Sequence, residues 1–205
     1  MANAFLEIAT TPAVLAAQVA NGSAGLYDNV GKQRRSDRFT PTEAEFIAAR
    51  DSFYMASVSE SGWPYVQHRG GPLGFLKLLD ETTLAFADFR GNRQYISLGN
   101  STANDRVALI LMDYPHRRRL KLYARIEARD LAADPDLAAR LDLPGYRGIA
   151  ERAFVLRLEA FDWNCPQHIT PRFTATEIAP LTARIAELEA ENAALRQFAA
   201  KKDPS

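Results

Sequence analysis

Only one cysteine, Cys165, stands in the 205 residues. A lone thiol cannot build an intrachain disulfide framework and fits a reducing cytoplasm, which is the expected location. Charge of one sign is not in excess either: 25 basic residues face 25 acidic ones. That balance gives no general pull toward nucleic acid or a membrane surface, and neither partner is expected. No run approaches the ~20 apolar residues that span a bilayer. The opening stretch MANAFLEIATTPAVLAAQVANG lacks a basic start and carries Glu7, so it does not read as a signal peptide. The three histidines, His68, His116 and His168, lie far apart. Cys165 and His168 have Cys-x2-His spacing without a second pair, and no metal site is expected. The dinucleotide fingerprint and the P-loop are missing, as is any local Ser/His/Asp signature. The chain has no internal repeat and no low-complexity tract.

What is present begins with helix signals. Thr11 can cap, Pro12 suits a first helical position, Val14, Leu15 and Val19 share a face, and Gly22 ends the pattern. Residues 23–39 are polar and loop-like and hold the basic run KQRRSDR. Thr40, Pro41 and Glu43 form a capping box, which predicts a helix over about 41–51.

From Ser52 the period changes to two. FYMASVS, WPYVQHR, GFLKLLD, TLAFAD, RVALILMDY, RLKLYARIEAR and AFVLRLEAF are strand-like segments separated by short turns. Short helices are expected near 91–99 and 134–141. Strands so closely spaced leave no room for serial βαβ crossovers, so an antiparallel barrel is expected. In the tail, Ile178, Leu181, Ile185, Leu188, Asn192, Leu195 and Ala199 recur at alternating steps of three and four. This heptad pattern, with Asn192 at an a-type position, fits a coil with a second copy or an amphipathic helix packed on its own barrel.

Three segments could carry chemistry. RGGPLG at 69–74 has the wrong glycine spacing for a dinucleotide loop. It is a strand kink or a backbone surface against which a planar ligand lies. In PHRRRLKLYAR, alternation sends Arg119, Lys121, Tyr123 and Arg125 to one face and Leu120, Leu122 and Ala124 to the other. That basic face is a solvated edge or an anion contact. FADFRGNRQYISLGN, residues 86–100, sets Arg90, Gly91, Asn92 and Arg93 before a short helix. It is a plain turn or a phosphate seat, with helix N–H groups and a planar guanidinium as donors.

Taken in order, FYMASVSESGWPYVQHRGGP, TLAFADFRGNRQYISLGNSTANDRVALILM, RRRLKLYARIEAR and FVLRLEAFDWNCPQHITPRF resemble the pyridoxamine 5′-phosphate oxidase-like FMN-binding split-barrel family. The narrower likeness is to its general flavin-nucleotide-binding branch. The resemblance implies a mainly β fold with flanking helices, a six-stranded antiparallel split β-barrel over residues 40–174. Residues 1–39 would be an N-terminal helix and loop extension, and 175–205 a C-terminal heptad helix. It further implies a homodimer holding FMN at the subunit interface. Cofactor contacts would come from Gln67, His68, Arg69 and Gly70, then from Ala87, Asp88, Gly91, Asn92 and Arg93. Arg119 and Lys121 would stand at the phosphate end, with Gln167, His168 and Ile169 near the flavin ring.

The family's oxidases carry an Arg-x-His-x-Arg signature after the tryptophan, and here Trp163 is followed by none. Their Ser-Arg-Lys phosphate run is replaced by Gly91-Asn92-Arg93. The implied activity is therefore an FMN-dependent oxidoreductase, fed by a nicotinamide donor or another small molecule, that is not a true pyridoxamine phosphate oxidase. The alternative is a non-catalytic module for flavin, F420 or haem, with the coiled tail as a partner contact.

Overall fold

The computed structural model of the protein describes residues 4–26, 36–163 and 165–202. Most of the KQRRSDR run lies outside them. Two compact units make up the chain. The first is Met1–Asp113 with Arg118–Gln167, and the second is Tyr114–Arg117 with His168–Ser205.

Among the described residues, seven strands form in the first unit: β1 (Ser52–Val58), β2 (Pro64–Gly70), β3 (Lys77–Asp80), β4 (Thr83–Phe89), β5 (Arg106–Asp113), β6 (Arg118–Arg129) and β7 (Ala150–Trp163). They make one antiparallel sheet in the order β2-β1-β5-β6-β7-β4-β3. The expected count of six is corrected to seven by the short β3. Of GFLKLLD only Lys77–Asp80 is strand, because Phe75 and Leu76 turn into the core instead. The alternation read from β6 holds: Leu120, Leu122 and Ala124 are buried between half-exposed or exposed Arg119, Lys121, Tyr123 and Arg125.

The sheet is a barrel rather than a flat ribbon. Strand β4 lies four places from β1, about 19 Å away if the sheet were flat. Yet the Phe53 and Phe86 rings are 5.2 Å apart, edge to face. Phe75 stacks on Phe53 at 5.6 Å and Phe154 meets Phe86 at 5.5 Å. Each such buried ring contributes about 1.5–3 kcal/mol, so the aromatic cluster favours curling strongly. Among the described residues, strands β2 and β4 share no ladder. They are tied by side chains, and there the barrel is split.

Helices flank the sheet. Helix α1 (Ala4–Ala9) stacks Phe5 on Tyr123 with ring centroids 4.5 Å apart. Helix α2 (Pro12–Ala20) has the expected cap, with Val14 N–H donating to Thr11 Oγ1 at 3.4 Å. Helix α3 (Pro41–Ala48) opens with its capping box: Glu43 Oε2 accepts from Thr40 N–H at 3.0 Å and from Thr40 Oγ1 at 2.6 Å. The other oxygen of this fully buried carboxyl accepts from Trp163 Nε1 at 2.7 Å, which locks α3 to β7. Helix α3 stops three residues short of the expected 51. Arg50 there leaves the helix and donates to the carbonyls of Phe46 and Met112 at 3.1 and 2.9 Å. Helix α4 is Ile96–Ala103, and α5 (Pro135–Leu141) is capped by Asp134, which accepts from Leu137 N–H at 3.0 Å.

The second unit is dominated by α6 (Ala175–Lys202), 28 residues long. Thr174 and Glu177 cap it reciprocally, Thr174 N–H donating to Glu177 Oε2 at 2.7 Å and Glu177 N–H to Thr174 Oγ1 at 3.2 Å. Its apolar stripe is exposed, Leu181 to 66%, Ile185 to 55% and Leu195 to 69%. Among the described residues no helix is long and apolar enough to cross a membrane.

Candidate functional site

Strand β2 alternates, so Tyr65, Gln67 and Arg69 face inward while Val66 and His68 face out. Across the split, Asp88 near the end of β4 is buried and pairs with Arg152 of β7 in the ladder. A flat sheet would set β2 about 24 Å from β4, five strand spacings away. In the barrel, Arg69 Nη1 donates to Asp88 Oδ1 at 2.7 Å, and Arg152 Nη1 donates to Asp88 Oδ2 at 2.6 Å. One carboxylate thus clasps two guanidiniums over the seam. Arg69 also lies over the Phe86 and Phe154 rings, at 5.7 and 5.4 Å from their centroids. Its Nε is buried and finds no acceptor among the described residues.

The chain leaves β4 through Arg90-Gly91-Asn92-Arg93-Gln94-Tyr95. A helix over 91–99 was expected; α4 begins only at Ile96. The cause is local. Asn92 Oδ1 accepts from Gln94 N–H at 3.1 Å, and Arg93 and Tyr95 take left-handed backbone with φ of 61° and 53°. Neither conformation can continue a right-handed helix. Arg90 donates from its backbone to Ile149 O at 2.8 Å and from Nε to Glu151 Oε1 at 2.9 Å, so it is bound within its own chain. The Tyr95 hydroxyl donates to the same oxygen at 3.2 Å, and Arg152 lies over the Tyr95 ring at 5.0 Å. The hydrogen bond from Arg90 holds the Glu151 carboxyl below the usual carboxylate range, with Tyr95 and Arg152 adding to it against the opposing effect of burial. At Ser97, in the first turn of α4, the hydroxyl donates to Gln67 Oε1 at 2.9 Å.

These elements enclose a cleft of about 180 Å³ at the seam. Gln67, Arg69, Asp88, Gly91, Asn92 and Arg93, all expected as site residues, line it together. Tyr65, Tyr95, Ser97 and Glu151 line it too and were not foreseen. Four guanidiniums, of Arg69, Arg90, Arg93 and Arg152, meet two carboxylates, of Asp88 and Glu151, in and beside the cleft. The local balance is therefore +2. Arg69, Arg90 and Arg152 are each held by a carboxylate. Among the described residues no carboxylate pairs with Arg93, whose partner is the Tyr95 side chain. That bond raises the Arg93 pKa above its ordinary value, and the charge of Glu151 adds to the rise.

The other expected residues lie elsewhere. His68 points outward and meets the Tyr54 ring edge-on at 5.4 Å. Gly70, Ala87 and His68 border a separate 150 Å³ hollow behind Arg69. Arg119 and Lys121 occupy the outer face of β6, where Lys121 Nζ pairs with Asp162 at 2.9 Å and lies over the Phe5 ring. Gln167 is exposed near the end of the first unit. His168, with φ of 64°, and the buried Ile169 belong to the second. Gly71 makes room for a side chain: a Cβ there would sit 2.8 Å from Phe75 Cβ and Cγ. Among the described residues no group of three or more His, Cys, Asp or Glu could hold a metal ion.

A family model described as pyridoxamine 5′-phosphate oxidase matches residues 39–157, more than half of the chain. No curated protein matches. Among solved structures the chain is similar to a candidate pyridoxamine 5′-phosphate oxidase from Lactobacillus delbrueckii, at 20% identity and a TM-score of 0.47 over 62% of this chain and 94% of that one. It is also similar to HupZ of Group A Streptococcus, at 13% identity and 0.46 over 66% and 100%. A third is an FMN-binding protein from Syntrophomonas wolfei, at 14% and 0.44 over 58% and 81%. The chain belongs to the pyridoxamine 5′-phosphate oxidase family of antiparallel split barrels, the family that its sequence resembles.

Proposed function

We propose that the chain binds FMN, with the cofactor's phosphate in the seam cleft, and works as a flavin-dependent oxidoreductase. The observation that carries this is the charge and donor set of the cleft. A phosphate monoester carries about −1.5 to −2 at neutral pH, and the cleft offers a balance of +2 with Arg93 held by no carboxylate. The unpartnered Arg69 Nε adds a buried donor that a polar ligand would satisfy. The cleft volume of 180 Å³ is below the ~300–1,000 Å³ of a complete ligand pocket. One chain thus supplies the phosphate end, and a second copy completing the ring site accords with a homodimer.

Each residue has a definite task. Arg93 donates a planar fork to the phosphate. Asn92 holds the loop by accepting from Gln94, and Gly91 leaves the backbone open to close approach. Gln67 and Ser97 fix each other beside it. Arg69 keeps positive charge at the inner wall, where it favours an anionic form of the cofactor. FMN, when bound, supplies the electron- and hydride-transfer chemistry. Without the Arg-x-His-x-Arg signature, vitamin B6 oxidation is not assigned; the electron donor is a nicotinamide or another small molecule.

The test is the absorption spectrum and mass of the ligand released from purified protein, followed by titration of Arg93→Ala. A flavin spectrum and a loss of about ten-fold or more in FMN affinity are expected, from a charge-assisted contact of ~1.5–3 kcal/mol. A Soret band, or an Arg93→Ala protein that binds FMN like wild type, overturns the assignment. Anaerobic bleaching by NADH or NADPH then separates a nicotinamide-linked reductase from a module that only binds.

A further inference from the structure

We propose that α6 pairs with α6 of a second copy of this chain as a parallel, in-register, two-stranded coiled coil. The helix is about 42 Å long at 1.5 Å per residue, and its stripe is solvent-exposed from Ile178 to Leu195. Three features name a second copy as its partner. The first is the seam itself, with Ile178 and Ile185 at a positions and Leu181 and Leu188 at d positions. Isoleucine at a with leucine at d is the combination that favours two parallel strands. The second is Asn192, which sits at the next a position and in register would face its own counterpart. In any other alignment its amide would face a leucine, an isoleucine or an alanine and lose that partner.

The third feature is charge complementarity. The heptad places Arg184 and Glu191 at g and Glu189 and Arg196 at e. In a parallel pair each g residue faces the e residue five positions later on the other helix. Arg184 then meets Glu189 of the second copy, and Glu191 meets Arg196 of the second copy. Both contacts are of opposite sign, and symmetry doubles them to four. An antiparallel pair would set g against g and e against e. Within one chain, Arg184 has only the exposed Glu187 and Glu191 nearby, at 2.9 and 3.9 Å. About three heptads make a coil that is marginal in isolation. The full chain is therefore the proper subject of the test. The pairing does not depend on the flavin reading.

The test places single cysteines in a Cys165→Ser background of the full chain. Leu181→Cys and Leu195→Cys lie at opposite ends of the seam, and Ala190→Cys lies on the outer f face. Under mild oxidation each seam variant should form a disulfide with its own counterpart at least about ten-fold faster than Ala190→Cys, because only seam sulfurs come within bonding reach. Equal rates for all three would mean chance encounter and would overturn the coil. A disulfide formed only between Leu181→Cys and Leu195→Cys in a mixture would show antiparallel helices and overturn the register. Failure of every seam variant to cross-link, whether from a monomer or from a different partner, overturns it as well. Flavin content, read from the visible absorption of the same samples, reports the cofactor assignment separately.

Discussion

Replacing Asp88 by asparagine removes one charge and almost no volume at the point where the barrel closes. Its carboxylate holds Arg69 at 2.7 Å and Arg152 at 2.6 Å. The three side chains are only 10%, 13% and 19% exposed, so solvent does little to screen them. An exposed ion pair is worth ~0–1 kcal/mol, but leaving a buried charge without its partner costs about 3–5 kcal/mol. The asparagine amide can still accept one hydrogen bond, while its NH₂ faces a guanidinium. About 3–5 kcal/mol is the expected loss. In a chain of this size each kcal/mol moves Tm by about 2–4 °C, so Asp88→Asn should melt roughly 6–20 °C lower.

Thermal unfolding followed by circular dichroism measures this directly. The variant also raises the local balance of the cleft from +2 to +3. Inorganic phosphate should therefore raise its Tm by more than that of wild type, through preferential binding to the folded state. Adding Arg69→Gln should recover part of the loss, since it removes the stranded cation, whereas Arg152 keeps Glu151 at 3.3 Å. A melting temperature within about 3 °C of wild type would refute the reasoning, because the seam would then be closed by the aromatic core alone.

Arg93→Gly should separate binding from stability. Glycine relieves a left-handed backbone that costs an arginine about 1–2 kcal/mol, so Tm should hold or rise while FMN affinity falls about ten-fold or more. A drop in Tm comparable to that of Asp88→Asn would show that Arg93 is structural. Gly71→Ala should lower stability by about 1–3 kcal/mol by overpacking, since its new Cβ would sit 2.8 Å from the buried Phe75. Denaturant unfolding with an unchanged midpoint would refute that. For pH, Glu151 is held below its ordinary value, first by Arg90. A depressed carboxylate stabilises above its unfolded pKa of ~4.3 and loses that contribution as pH falls through the lower folded value. Loop order, read as protease resistance between residues 90 and 95, should stay flat from pH 8 to about 5 and fall below about 4. Replacing Glu151 by Gln should flatten that acid limb, and an unchanged limb would remove Glu151 from its cause.

The strands were legible because period-two burial is a local signal. VALILMD and RRLKLYARI show it over long runs, and the structure pairs them as one hairpin ladder. The helix caps at Thr11 and Thr40 were legible for the same reason: each is settled within four residues. The start of α4 was not, since nothing in RGNRQY marks two left-handed residues. That geometry is tied to Glu151, more than fifty residues further on. Glu151 and Arg152 were missed entirely. At the head of a strand they look like ordinary surface charges, and only the β4–β7 register sets Arg152 against Asp88. The resemblance named Arg69, Asp88, Asn92 and Arg93, which the structure brings to one cleft. It could not tell which faces of β2 and β6 turn inward, and that decides where His68, Arg119 and Lys121 lie.

That division gives the cleft its logic. Three of its four arginines are held by buried or half-buried carboxylates, and moving any of them toward a ligand would break an ion pair that closes the barrel or holds the loop. Arg93 alone among the four is free of such a cost. Its side chain is exposed, its backbone is already fixed in the unusual conformation, and Tyr95 steadies it. On the proposed reading, the phosphate seat is built from one exposed cation beside three ion-paired ones. This is how a loop reading Gly-Asn-Arg could hold the group for which the family's other members use Ser-Arg-Lys. Further positive charge comes from Arg69, Arg90 and Arg152, which share only two carboxylates, Asp88 and Glu151.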